Sequence, residues 1–189
     1  MLTADDVFKS FEDTVKADGL YLVVESREPS GPMACSEWYM LPVVAAFIGK
    51  SYFDGFLKEM GKDHFQSLKE NLSSLTCKVM DKPRIEPTLM GTAGKISTNN
   101  PFSLSFAIHA DTDDGFTFKL LVPKPTGNCD YDTITIKFME FLEDYHLGIK
   151  TLESIGFVND TTIPRSNLIF VHYCKDSSCI KWLNEKDYR

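Results

Sequence analysis

The alternation of hydrophobic and polar residues is clearest between residues 102 and 120, where it predicts a β-hairpin. The apolar positions are Phe102, Leu104, Phe106 and Ile108 before an acidic turn, and Phe116, Phe118 and Leu120 after it. A period of two places alternate side chains on opposite faces of a strand. We therefore expect the aromatic and aliphatic face of this hairpin to pack against helices, with a small, polar or charged face opposite.

The stretch from Leu41 to Leu75 shows helical spacing, and we interpret it as two consecutive central helices. The first is predicted from Pro42 to Met60, since proline suits a first helical position. The second is predicted from Asp63 to Leu75 and starts with a possible capping box. One continuous helix through Gly61 is the alternative. The apolar positions that recur at spacings of three and four in the first helix are Tyr52, Phe53, Phe56, Leu57 and Met60.

The remaining patterns complete the prediction of an α+β fold. The other predicted elements are a helix over Asp5 to Ala17, a strand over Leu20 to Glu25, a helix from Asp130 or Asp132 to Leu147, a strand over Asn167 to Tyr173 and a short last helix with Ile180, Trp182 and Leu183. The predicted fold class is a central helical pair packed on an antiparallel sheet that contains the hairpin, with N- and C-terminal helices. We expect a single domain over residues 1–189. The alternative is a helical half, 1–80, and a β-rich half, 88–189, that share one core.

Composition narrows the classes of function. The chain has 189 residues, of which 43% are hydrophobic, and its net charge is −7. No basic stripe is visible, so we do not expect nucleic acid among its partners. The longest apolar run, from Leu41 to Gly49, is far shorter than the roughly 20 residues that a membrane-spanning helix requires, so no membrane span is expected.

The cysteines and the first residues predict a cytoplasmic protein. Five cysteines are present, which is an odd number, and none forms a Cys-x-x-Cys pair. The first residues lack a basic region followed by an apolar core, so they do not resemble a secretory signal. Reduced thiols in the cytosol fit both observations.

Motifs for cofactors and metals are mostly missing. The glycine-rich phosphate-binding patterns and the Gly-x-Ser-x-Gly elbow do not occur, and no cofactor is expected. The acidic turn at Asp111 fails as a calcium loop because the positions that require glycine and glutamate hold Phe116 and Val122. The sequence leaves open whether His172, Cys174 and Cys179 bind a metal, since no fourth ligand is evident.

Candidates for acid–base chemistry are weak. Glu37, Asp54 and His64 are the acidic and histidine side chains that lie nearest to aromatic residues or to a helix start. Cys35 with Glu37 and His64 is a weaker combination for nucleophilic catalysis, since such partners meet in space and not in sequence. Each of these residues has a simple alternative interpretation as a solvated surface or loop residue.

The segment from Glu37 to Phe56 is rich in aromatic residues, and exposed aromatics favour interfaces. The candidate binding residues are Trp38, Tyr39, Tyr52 and Phe53. We therefore expect a cytosolic protein-interaction or accessory module without catalytic activity that binds a protein partner or its own copy. The alternatives are a small enzyme with an unfamiliar acid–base site and a small-ligand-binding domain with its pocket between the hairpin and the central helix.

Overall fold

The computed structural model describes residues 22–26, 44–56, 62–81, 100–125, 129–157 and 167–184, together with residues 9, 11, 13 and 14. These residues form one mixed sheet and helices. The strands are β1 (Leu22–Ser26), β2 (Val44–Ile48), β3 (Phe102–Asp111), β4 (Thr117–Pro123), β5 (Leu168–Cys174) and β6 (Cys179–Trp182). The helices are α1 (Lys50–Phe56), α2 (Lys62–Met80) and α3 (Tyr131–His146), and a 3-10 turn, Glu153–Ile155, follows α3.

The six strands lie in the sheet in chain order, from β1 at one edge to β6 at the other. Three antiparallel pairs, β1–β2, β3–β4 and β5–β6, alternate with the parallel pairs β2–β3 and β4–β5. A parallel pair needs a long crossover connection, which usually contains a helix. Here α1 and α2 lie in the first crossover, and α3 lies in the second.

One face of the sheet packs against α2 and α3 and forms the main core. Its buried sheet residues include Val44, Ala46, Ile48, Phe106, Ile108, Phe118, Leu120 and Val171, and its buried helix residues include Phe65, Leu68, Leu72, Ile134, Phe138 and Leu142. Full burial of one large apolar side chain contributes roughly 1.5–3 kcal/mol, so this layer is the main source of stability. The two helices also meet directly, where the Ser73 hydroxyl donates to the Asp132 carboxylate.

The central part of the opposite face of the sheet is buried as well. A second apolar cluster there consists of Phe102, Leu121, Phe170 and Leu183. Phe102 was predicted on the same face of the sheet as Phe106, but the two phenylalanines belong to different clusters. The β3–β4 register shifts between Phe102 and Ala107. The irregularity accounts for this, because an extra residue in a strand reverses the direction of the side chains beyond it.

Several sequence predictions are confirmed. The β3–β4 hairpin forms between the predicted residues, and α2 buries the predicted Phe65, Leu68, Leu72 and Leu75. The long helix α3 begins after Asp130 and ends before Gly148, as expected. The predicted strand over Asn167 to Tyr173 is β5.

The helix predicted from Pro42 to Met60 is wrong in its first part. Val44–Ile48 is strand β2, paired with β1 and β3, and α1 covers Lys50–Phe56. A short apolar run that ends at a glycine fits a buried strand as well as a buried helix, and its partners along the chain decide between them. Residues 57–61, and with them the question of one continuous helix, lie outside the described residues.

The predicted antiparallel sheet and C-terminal helix are also corrected. The sheet is mixed, because β2–β3 and β4–β5 are parallel. Ile180 and Trp182 belong to strand β6, which pairs with β5 across a turn. Of the helix predicted over Asp5 to Ala17, residues 9, 11, 13 and 14 have helical backbone, and the rest lies outside the described residues.

Candidate functional site

A cleft of about 420 Å³ lies where the tip of the β3–β4 hairpin meets the C-terminal end of α3 and the turn that follows it. This volume is in the range of small-molecule and side-chain pockets. The polar and charged residues that line the cleft are Asp113, Asp114, Tyr145, His146, Lys150, Thr151 and Glu153.

The hairpin tip is held by a compact set of hydrogen bonds around Thr112. The Thr112 backbone N–H donates to the Phe116 carbonyl at 2.9 Å, and the Phe116 N–H donates to the Thr112 hydroxyl at 3.1 Å. Gly115 has a φ of +79°, a conformation that favours glycine. These contacts fix the exposed Asp113 and Asp114 at the tip, at the rim of the cleft.

The other wall of the cleft is the end of α3. Gly148 has a φ of +71°, which terminates the helix in the way that glycine commonly does. The backbone N–H groups of Ile149 and Lys150 then donate to the Asp144 carbonyl at 2.8 and 3.1 Å. This reversal leaves Leu147 and Ile149, on either side of Gly148, with 52% and 68% of their surface exposed.

His146 joins three elements beneath the cleft. Its ring stacks on Phe53 of α1, with the ring centroids 3.8 Å apart, and its side chain is almost completely buried. The Nδ1 atom lies 3.8 Å from Oδ2 of Asp113. Burial lowers the pKa of His146. The negative charge of Asp113 and a hydrogen bond to the Asp111 backbone raise this pKa, but by less than burial lowers it. The Nε2 atom has no hydrogen-bond partner within the described part of the chain.

The carboxylates around the cleft differ in their partners. Asp113 forms an ion pair with Lys50 at 3.1 Å, and Lys150 forms one with Asp144 at 2.8 Å. Within the described ranges, neither Asp114 nor Glu153 has a lysine or arginine at ion-pair distance. Two carboxylates in the cleft are therefore not neutralised by any basic side chain of the described residues.

The carboxylates of Asp114 and Glu153 both raise the pKa of the Tyr145 hydroxyl, which lies in the wall of the cleft. This hydroxyl donates to Oδ2 of Asp114 at 2.8 Å. Burial raises the pKa of Tyr145, and the hydrogen bond to Asp114 and the charges of Asp114 and Glu153 raise it further. The cleft is thus an acidic site with an aromatic ring in its wall.

A pair of buried basic residues lies on the opposite face of the sheet, away from α2 and α3. His109 and Lys119 are cross-strand neighbours, 6% and 4% exposed. Burial and the nearby Lys119 charge lower the pKa of His109 to about 3, and burial lowers the pKa of Lys119 to about 8. Phe47 and Phe170 flank the pair in the same row. The alternating pattern revealed the face on which these residues lie, but not that this face is buried.

The predicted binding residues do not form one surface in the described structure. Tyr52 and Phe53 are buried in the main core, 2% and 1% exposed, so they are core residues and not the exposed aromatics that were expected. Their spacing of three and four identified a buried face. The other two candidate binding residues, Trp38 and Tyr39, lie outside the described residues.

The candidate acid–base residues are also not brought together. Asp54 is exposed on α1, whereas His64 is half-buried on α2 with its ring 6.1 Å from that of Tyr52. The hydrogen bonds and ion pairs of the described residues do not link Asp54 with His64. Glu37, like Cys35, lies outside the described residues. On the hairpin side of the pocket predicted between the hairpin and the central helix, Phe106 and Phe118 are fully buried in the main core.

His172, Cys174 and Cys179 share one face of the β5–β6 hairpin, and Cys174 is directly opposite Cys179. In the portion of the chain that the structure describes, no three histidine, cysteine or acidic side chains are arranged to hold a metal ion. The comparisons with known proteins give no further candidate: family models, curated sequences and solved structures all yield no match. None of the described helices combines the length and apolar character that crossing a bilayer requires.

Proposed function

We propose that this chain is a cytosolic, non-catalytic interaction module whose cleft binds a basic and apolar segment of a protein partner. The observation that carries this proposal is the position of Leu147 and Ile149. Both are large, exposed apolar residues on either side of Gly148, which lines the acidic cleft, and neither belongs to the core clusters. Contiguous exposed apolar residues that are rimmed by polar groups mark interaction sites.

Charge complementarity favours a basic partner. Three carboxylates line the cleft, on Asp113, Asp114 and Glu153. Asp113 is paired with Lys50, and Lys150 is paired with Asp144, so Asp114 and Glu153 are the carboxylates left for a basic partner. The carboxyl end of α3 adds the negative end of its helix dipole. A lysine or arginine side chain that enters beside Asp114 and Glu153 would find two carboxylates and the ring of Tyr145. Neighbouring apolar residues of the partner would then cover Leu147 and Ile149.

The cleft is rigid enough to serve as a preformed site. The hairpin tip is fixed by Thr112, and the end of α3 by Gly148 and the Asp144 carbonyl. His146, stacked on Phe53, holds the helix end against α1. A preformed site loses little conformational freedom on binding, which allows a small surface to bind with useful affinity.

The alternative of an acid–base enzyme has weaker support. Among the described residues that line the cleft, His146 carries the only imidazole. Its side chain is almost completely buried, and its Nδ1 is 3.8 Å from Asp113, beyond hydrogen-bond distance. Asp113 is in addition paired with Lys50. The four described cysteines, Cys77, Cys129, Cys174 and Cys179, are free thiols, which supports the cytosolic part of the proposal.

Site-directed photo-crosslinking in cells tests the proposal. A photo-reactive amino acid replaces Ile149, whose side chain is exposed, so the fold tolerates the change. The control carries the same amino acid at Asp81, which is exposed at the end of α2. We expect the Ile149 variant to capture a defined protein segment that contains a lysine or arginine beside a large apolar residue. Asp114→Asn combined with Glu153→Gln is expected to reduce its yield about tenfold.

Two outcomes would contradict the proposal. One is capture of the same proteins in the same yield from position 81. The other is capture of acidic segments, or of basic ones with a yield that the Asp114 and Glu153 substitutions do not change. If the captured segment belongs to a second copy of this chain, the partner is the protein itself, and the segment must still supply the basic side chain.

A further inference from the structure

We propose that Cys174 and Cys179 form a reversible dithiol–disulfide site that reacts with low-molecular-weight disulfides such as oxidised glutathione. The site lies at the turn end of the β5–β6 hairpin, where β6 is an edge strand of the sheet. It does not include any residue of the acidic cleft. Its test is therefore independent of the proposed binding function.

The register of the hairpin places the two cysteines face to face. Cys174 is paired with Cys179 across the antiparallel ladder, at the last pair before the turn. Directly opposite residues have Cα atoms about 4.5–5.5 Å apart, inside the range of about 4.4–6.8 Å that disulfides span. Both side chains are half-buried, so a small reagent can reach them.

Ser177, in the turn between the two cysteines, interacts with both sulfur atoms. The Cys179 thiol lies 3.2 Å from the Ser177 hydroxyl oxygen. Hydrogen bonds from the side chain and backbone of Ser177 to the Cys174 sulfur lower the pKa of that thiol, and the charge of Lys181 lowers it further. Cys174 is thus the attacking nucleophile, because the thiolate and not the thiol attacks a disulfide.

The thiol–disulfide exchange takes place in two steps. The Cys174 thiolate attacks one sulfur of oxidised glutathione, breaks its S–S bond and releases one glutathione thiolate. Cys179 then loses its proton and attacks the Cys174 sulfur, which forms the protein disulfide and releases the second glutathione. The two protein thiols lose two electrons and two protons in total, and the reagent gains them as two glutathione thiols. Reduced glutathione in excess reverses both steps.

The test is oxidation of the full-length, reduced protein with oxidised glutathione, followed by tryptic mass spectrometry without reduction. Lys175 lies between the cysteines, so cleavage there separates them unless a disulfide joins the two peptides. We expect the joined peptide as the main product. In Cys179→Ser the reaction should stop at one glutathione on Cys174, since no second thiol displaces it.

Cys77 is the internal reference within the same chain, because burial raises the pKa of its thiol. We expect Cys174 to react severalfold faster than Cys77, since the two thiol pKa values are shifted in opposite directions and the thiolate is the attacking species. Cys77→Ser should leave the joined peptide unchanged. Stable glutathione adducts on both Cys174 and Cys179, disulfides mainly with other cysteines, or equal rates at Cys77 would overturn the proposal.

Discussion

At the scale of single residues, the most unusual feature is the burial of His109 and Lys119 side by side. Both residues lose hydration on the second face of the sheet, which disfavours their charged forms. The protein therefore keeps His109 neutral in the folded state, with its pKa lowered to about 3 from the ordinary 6.5. This has a direct consequence for stability in acid.

We predict that His109 makes the folded state sensitive to mild acid. Below its ordinary pKa the unfolded chain takes up a proton at His109 that the folded chain does not, so stability falls as the pH falls from 6.5 towards 3. Over the two pH units from 6.5 down to about 4.5 this amounts to roughly 2.5 kcal/mol. Urea unfolding of wild type and His109→Gln at about pH 7.5 and pH 4.5 measures it.

From pH 7.5 to pH 4.5, the free energy of unfolding of His109→Gln should fall by about 2.5 kcal/mol less than that of wild type. This holds whatever the stability of the variant at pH 7.5. The comparison within each protein removes the cost of the substitution itself. An identical loss in both proteins would show that His109 is protonated equally in the folded and unfolded states.

At the scale of elements, helix α3 positions the cleft, and both of its ends are specified locally. Asp130 is the N-cap, and its carboxylate accepts hydrogen bonds from the Thr133 N–H at 3.0 Å and the Thr133 hydroxyl at 2.6 Å. These bonds lower the pKa of Asp130. Gly148 terminates the other end with a positive φ. Such local signals are readable in the sequence, and this helix was predicted correctly.

We predict that Asp130→Ala lowers the free energy of unfolding by about 1 kcal/mol, the usual effect of losing an N-cap. Asp130→Asn is the matched control, because asparagine caps helices about as well as aspartate. Chemical denaturation at neutral pH compares the two variants with wild type. A loss of equal size in both variants would mean that the charge, and not the cap, stabilises this end of α3.

Strand β2 shows where sequence reasoning fails at this scale. Its residues Val44–Ile48 are apolar without alternation, and such a run fits a buried strand or a buried helix equally. The choice is made by parallel pairing with β3, which is more than fifty residues away along the chain. Pairing between strands that are distant in the chain also explains why the sheet is mixed and not antiparallel as predicted from the sequence.

At the scale of the whole molecule, the cleft exists because three distant segments meet. Asp113 at the hairpin tip, Lys50 at the start of α1 and His146 at the end of α3 come together only in the folded chain. Periodicity identified each element, and it identified Tyr52 and Phe53 as apolar positions that turned out to be core. It could not place the acidic turn beside the end of α3, because that contact has no local signature. The candidate site was therefore missed, although Asp113 and Asp114 were recognised as a turn.

The central claim is that the cleft recognises a positive charge next to apolar residues. A short peptide of alternating lysine and leucine carries both features, and its counterpart with glutamate in place of lysine carries only the apolar one. We predict that the lysine peptide binds the wild-type protein, that added salt weakens this binding, and that the glutamate peptide does not bind.

The most direct test is therefore to titrate the lysine peptide into three proteins by calorimetry: wild type, Asp114→Asn with Glu153→Gln, and Glu70→Gln with Asp81→Asn. Each of the two double variants loses two negative charges, but Glu70 and Asp81 lie on or next to α2 and do not line the cleft. We expect the cleft variant to raise Kd at least about tenfold and the α2 variant to raise it less than about twofold. Equal affinity for all three proteins, or equal loss in both variants, would contradict recognition by the cleft.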